Sequence, residues 1–162
     1  MVISLERARQ ANIRPMCEED LRAVSDIEAA TFPNPWSFDA LAFELHQNPF
    51  CAAFIEEMPH SEVIGYAFLW VMYEQSHLIN IAIAKPFQGR GYGEILLRHL
   101  IHYARANGAA EMHLEVRETN AAAIALYKKY GFTARGRQDS YYQDGTAALF
   151  MQAALLPEQS AG

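Results

Sequence analysis

Only two of the 162 residues are cysteine, Cys17 and Cys51, and no C-x-x-C spacing occurs, which leaves a disulfide framework or a cysteine-built zinc site without support. Buried or half-buried free thiols are the expected state. No apolar run approaches the roughly 18 residues that a membrane span needs. The first nine residues carry charge where a signal peptide needs an apolar stretch, so the sequence reads as a soluble, cytoplasmic protein with a flexible lead-in. Positive charge is scarce too. With 13 Lys+Arg against 19 Asp+Glu, a formal charge of -6, the molecule does not draw nucleic acid as a basic domain does, whereas cationic peptides or amines suit it. Gly (9) and Pro (7) stand at ordinary levels, so no linker or low-complexity fraction dominates.

What is present is enough apolar material, 51% of the residues, for one globular domain over 1–162 with its core near 11–155. A short strand is expected over Ala11 to Arg14. Leu21, Val24, Ile27 and Glu28 then recur at helical spacing after the acidic start Glu18 to Asp20. Thr31 to Trp36 breaks that helix with two prolines, and Ser37 caps a second carrying Leu41, Phe43, Glu44 and Leu45. Phe50 to Glu56 and Glu62 to Tyr73 read as a hairpin, and His77 to Ile83 completes a meander. An amphipathic helix follows over Glu94 to Ala106, stopped by Gly108, then a strand over Glu111 to Arg117. A helix over Ala121 to Tyr130 ends at Gly131, and strands near Phe132 to Gln138 and Thr146 to Leu155 close the chain through Asp144-Gly145. This order implies an α+β sheet of about seven strands with helices on both faces. Its strand-helix-strand unit, His77 to Arg117, makes the flanking strands parallel.

Between that strand and helix lies Gln88-Gly89-Arg90-Gly91-Tyr92-Gly93. Glycines let the backbone come close, and the unpaired amides of the first helical turn, with Arg90 beside them, suit a diphosphate; a tight turn holding no ligand is the other reading. A Walker loop is excluded because Glu94-Ile95 follow Gly93, and a dinucleotide fingerprint fits poorly because Leu96 stands where it needs glycine. Glu111, His113 and Glu115 share a strand face, and His99 and His102 lie three apart on a helix, but neither group makes a full ligand set, so no metal is expected.

The segment Gln88 to Gly93 resembles the Q/R-x-x-G-x-G/A loop of the GNAT acetyltransferases. Leu114-Glu115-Val116-Arg117, Asn120, Ala121 to Ala123, Leu126-Tyr127 and Gly131-Phe132 are similar to the L-E-V-R, N-x-x-A and L-Y-x-x-x-G-F pattern of the bacterial ribosomal-protein-alanine N-acetyltransferases. Asn34-Pro35-Trp36-Ser37 resembles the substrate-side loop of that branch. The resemblance covers Ile13 to Met151 and implies the GNAT fold, in which the fourth and fifth strands splay. It places acetyl-CoA on the Gln88 to Glu94 loop and on the backbone of Ile81, Ala82 and Ile83, with Asn120 nearby. Asn120 also reads as a plain helix cap.

Acyl transfer to an amine needs a neutral nucleophile, a polarised thioester carbonyl and a proton for the departing thiolate. The resemblance makes Glu115 the general base and Tyr127 the general acid. Partial desolvation is expected to raise the Glu115 pKa, and a phenol near 10 is a credible donor to a thiolate near 8.5. Against these stand an ion pair of Glu115 with Arg117, a structural Tyr127, and His113 as rival base. The resemblance further implies Trp36, Tyr141 and Tyr142 on the acceptor side. The acceptor is then the N-terminal alanine of a small-subunit ribosomal protein, acetylated by direct attack in a ternary complex by a monomer or weak dimer. An α-amine costs only roughly 1 to 1.5 kcal/mol to deprotonate at pH 7, against roughly 4.5 for lysine. A lysine or small-amine acetyltransferase and a non-catalytic acetyl-CoA-binding module are the alternatives.

Overall fold

A computed structural model describes residues 10–155. The expected lead-in over the first nine residues falls outside that range. The elements are β1 (Asn12–Pro15), α1 (Leu21–Thr31), α2 (Phe38–His46), β2 (Cys51–Glu57), β3 (Val63–Met72), β4 (Gln75–Ile83), α3 (Tyr92–Ala106), β5 (Glu111–Arg117), α4 (Ala121–Lys129), β6 (Thr133–Gln138) and β7 (Ala148–Ala154). Short 3-10 turns at Glu18–Asp20 and Lys85–Phe87 precede α1 and α3. The strands form one mixed seven-stranded sheet in the order β1-β2-β3-β4-β5-β7-β6. The strand-helix-strand crossover makes β4 and β5 parallel, as expected, whereas β5 pairs with β7 antiparallel.

By contacts the described chain divides into two compact units, residues 10–70 with 80–100, and residues 71–79 with 101–155. In the first, Leu21 and Val24 of α1, Leu41 of α2, Ile64, Tyr66, Phe68 and Leu69 of β3, and Leu96, Leu97 and Leu100 of α3 are fully buried. Side chains of this kind supply most of the stabilisation, at about 25 cal/mol per Å² of apolar surface removed from water. In the second unit Met112, Leu114 and Val116 are buried while Glu111, His113, Glu115 and Arg117 between them are half-buried. That alternation is the pleat of a strand, and it turns every titratable side chain of β5 to one face. β6 lies at the sheet edge and is exposed throughout.

Local chemistry explains the boundaries. Ser37 accepts from the Ala40 amide at 3.1 Å and Asn120 from the Ala123 amide at 3.2 Å, so both act as helix caps. Gly131 sits at φ +90°, in the left-handed region, where it ends α4. Helix α3 begins at Tyr92, two residues before the expected Glu94, because the Ile95 amide already bonds to the Gly91 carbonyl at 3.2 Å. Gly93, the last glycine of the motif, therefore lies inside the first turn rather than ahead of it. The cysteines depart in part from expectation. Both thiols are free, but Cys17 is exposed and only Cys51 is half-buried.

Candidate active site

In the first unit the chain leaves β4 through the Lys85–Phe87 turn, and the Gln88 side-chain amide donates to the Ile83 carbonyl at 2.9 Å, tying the loop to the strand end. Gly89 and Gly91 take φ +75° and +91°, values that a side chain disfavours, and so aim the backbone into the start of α3. The first-turn amides of a helix point out of its N-terminal end, so those of Tyr92 and Gly93 can donate to an anion with the helix dipole behind them. Tyr92 offers only its backbone, since its ring is buried against Phe87; Arg90 is exposed, its guanidinium 5.9 Å from the Phe87 ring. The parallel register of β4 with β5 runs from Gln75 to Leu78, so Ile81, Ala82 and Ile83 lie beyond its last rung.

The same unit holds a buried carboxylate that sequence reasoning placed on the helix stripe without giving it a task. Glu28 is 1% exposed and accepts from the Trp36 amide at 3.0 Å, the Asn80 side chain at 2.8 Å and the Tyr66 hydroxyl. It thereby fastens the Asn34-Pro35-Trp36-Ser37 loop to β3 and β4, with the Trp36 ring set 6.3 Å from Phe68. Burial and the Glu28 charge hold the Tyr66 phenol un-ionised. A second buried carboxylate, Glu44, accepts from Asn48 at 2.7 Å and Trp70 at 2.9 Å. Burial, helped by Glu44, pushes the Cys51 thiol up to about 12.

In the second unit Glu115 is hydrogen-bonded to His77, Nε2 to Oε2 at 2.6 Å. Both line a cavity of about 300 Å³ together with Met72, His113, Arg135 and Phe150. Sequence reasoning missed His77; the signal was its place on β4, opposite His113 in the parallel register. The suggested Glu115–Arg117 pair does not form. Arg117 instead bonds Asp144 at 2.7 Å and stacks on the Tyr142 ring at 4.1 Å. His113 stands 3.3 Å from Glu111. Tyr141 packs edge-on against Phe150 at 5.6 Å, so the hairpin aromatics are joined to β7. Tyr127 is buried beside Phe132, and desolvation, then Tyr142, push its phenol up to about 12. Asn120 acts as the cap of α4, the simpler of its two expected roles. Among the described residues no cluster of three or more His, Cys, Asp or Glu is placed to hold a metal ion, and no helix is long and apolar enough to cross a membrane.

Residues 21–132 match the family model described as acetyltransferase (GNAT) family. The ribosomal protein bS18-alanine N-acetyltransferase of Escherichia coli K12 is 36% identical over 132 residues, covering 76% of this chain and 81% of that protein. A Bacillus subtilis protein provisionally given the same name is 35% identical over 143 residues, covering 88% and 94%. The crystal structure of the Escherichia coli ribosomal-protein-S18-alanine N-acetyltransferase superposes with a TM-score of 0.83 at 31% identity, covering 94% of this chain and 98% of that one. The seven-stranded order, the parallel β4–β5 pair and the glycine turn into α3 agree with that likeness. The chain belongs to the GNAT acetyltransferase family and is an N-acetyltransferase.

Proposed function

We propose that the protein moves acetyl from acetyl-CoA to the α-amine of a protein N-terminus, an alanine at the start of a small-subunit ribosomal protein, by direct attack in a ternary complex. The names of the relatives support the acceptor. The observation that carries the chemistry is Glu115: a half-exposed carboxylate on a cavity wall, one oxygen fixed by His77. The reading takes the chain as one catalytic domain, since β3, β4 and α3 each run through both units.

The residues present fit acetyl-CoA. Gly89 and Gly91 leave the backbone of the loop open to a diphosphate, with the first-turn amides of α3 and Arg90 as its donors. Backbone groups of Ile81, Ala82 and Ile83, past the last β5 rung, are free of that ladder to pair with an extended amide-bearing arm. When bound, acetyl-CoA supplies an acetyl group activated as a thioester. Glu115 Oε1 receives the proton that the amine loses, directly or through one water. An α-amine with a pKa of about 8 presents an appreciable neutral fraction at pH 7, so one carboxylate suffices.

Tyr127 is the acid in this reading. Burial pushes its phenol up to about 12, so it is protonated at neutral pH with a proton for the departing thiolate, and the phenolate left behind takes one back from solvent. The cysteines fit direct attack. Cys51 is held protonated, and Asp20 raises the exposed Cys17 thiol, so neither is an activated nucleophile.

The test is intact-mass analysis after incubation with acetyl-CoA and three acceptors: a peptide beginning with alanine, the same peptide blocked at its N-terminus but carrying lysine, and a free polyamine. Acetylation of the first alone is expected, and Glu115→Gln should abolish it. Tyr127→Phe should lower kcat by about tenfold while leaving acetyl-CoA binding intact. Preferred modification of lysine or polyamine would overturn the acceptor, and binding without turnover on any amine would overturn the chemistry.

A further inference from the structure

We infer that His77 is a positioning residue for the base, donating from Nε2 to the Glu115 carboxylate so that Oε2 is held and Oε1 faces its task in a fixed rotamer. The inference rests on the reading of Glu115 as the proton acceptor. Three observations converge on it. His77 lies on β4 between buried Ser76 and Leu78, and Glu115 on β5 between buried Leu114 and Val116, so the pleat sends both side chains to the half-exposed face. The parallel register sets His77 opposite His113, and Glu115 stands two residues further along, within reach of the ring. The contact, 2.6 Å from Nε2 to Oε2, is within hydrogen-bond distance.

An isolated glutamate on a strand samples several rotamers, and locking it at the moment of reaction costs entropy. The His77 bond takes that cost at folding, in a cavity wall where the side chains are 31% and 25% exposed and water competes less for the bond. The other polar and titratable groups around the pair are Glu111, His113 and Arg117 on β5, Arg135 on β6, Gln75 and Ser76 on β4, Gln152 on β7 and Tyr142 beyond β6. None of them is bonded to Glu115. A neutral imidazole donates from Nε2 and leaves the carboxylate basic. An amide at this position keeps a donor to the carboxylate, whereas an aliphatic side chain removes it.

The experiment compares full-length His77→Gln, His77→Leu and Glu115→Gln with the parent, measuring kcat and KM for an alanine-initiated peptide from about pH 5.5 to 9. His77→Leu should lose about 10- to 100-fold in kcat with KM for acetyl-CoA unchanged, as expected when a catalytic group loses its support. His77→Gln should recover most of that rate. If His77→Leu fails to fold, His77→Ala takes its place in the same comparison. Parent-like kcat in His77→Leu, or equal losses in both variants, overturns the inference. In those cases an inactive Glu115→Gln leaves the base assignment standing, whereas an active Glu115→Gln removes that assignment and this one with it.

Discussion

Gly65 on β3 tests the packing beneath the strand proposed to hold the acetyl carrier. A Cβ added there would lie 2.5 Å from the Ile83 Cδ1 and 3.1 Å from the Ala82 carbonyl oxygen, with Glu56 Oε2 at 3.6 Å. The first distance is a clash that the flexible end of Ile83 can relieve only by leaving its rotamer. The second is tight against backbone and forces a shift of a few tenths of an ångström. Gly65→Ala is therefore overpacking, which costs about 1–3 kcal/mol. For a chain of this length that lowers the melting temperature by about 2–12 °C. Ile83→Val removes Cδ1 and by itself costs about 0.5–1.5 kcal/mol. Since it deletes the atom that clashes, Gly65→Ala/Ile83→Val should melt higher than the sum of the single changes predicts, by about 1 kcal/mol of coupling. The assay is urea and thermal unfolding of the four proteins, with KM for acetyl-CoA measured in parallel. KM should rise in Gly65→Ala because Ala82 moves. A Gly65→Ala protein with parental stability, or a double variant showing no coupling, would refute the steric argument.

Glu56 is fully buried, both carboxylate oxygens lack a partner, and burial raises its pKa to about 8. The folded state keeps its proton where the unfolded chain has lost it, so stability is full below about pH 4.5 and falls as pH rises through 8. Urea unfolding at several pH values should show that slope in the parent and lose it in Glu56→Gln; equal slopes would contradict the assignment. Glu28→Ala strands the Trp36 amide, the Asn80 side chain and the Tyr66 hydroxyl without their acceptor. At about 1–3 kcal/mol per orphaned buried group, with partial relaxation, a loss of about 3 kcal/mol is expected by denaturant titration, and the peptide KM should rise as the Trp36 loop loosens. A loss below about 1 kcal/mol would show that those donors find other acceptors.

Sequence by itself determined the elements and the residue types available for chemistry. The β5 alternation, the caps at Ser37 and Asn120 and the stop at Gly131 are local, because they depend on neighbours one to four residues away. Even Glu28 and Glu44 fell on the correct helix faces, since periodicity tracks burial whatever the side chain. Tertiary structure decided who meets whom. His77 reaches Glu115 across 38 residues and Asn80 reaches Glu28 across 52, separations that no spacing rule spans. Arg117 turned from Glu115, two positions away on its own face, to Asp144 and Tyr142 across the hairpin. Strand register sets the first of those distances and the packing of α1 on the sheet the second, and both come from how whole faces bury together, which no single residue encodes.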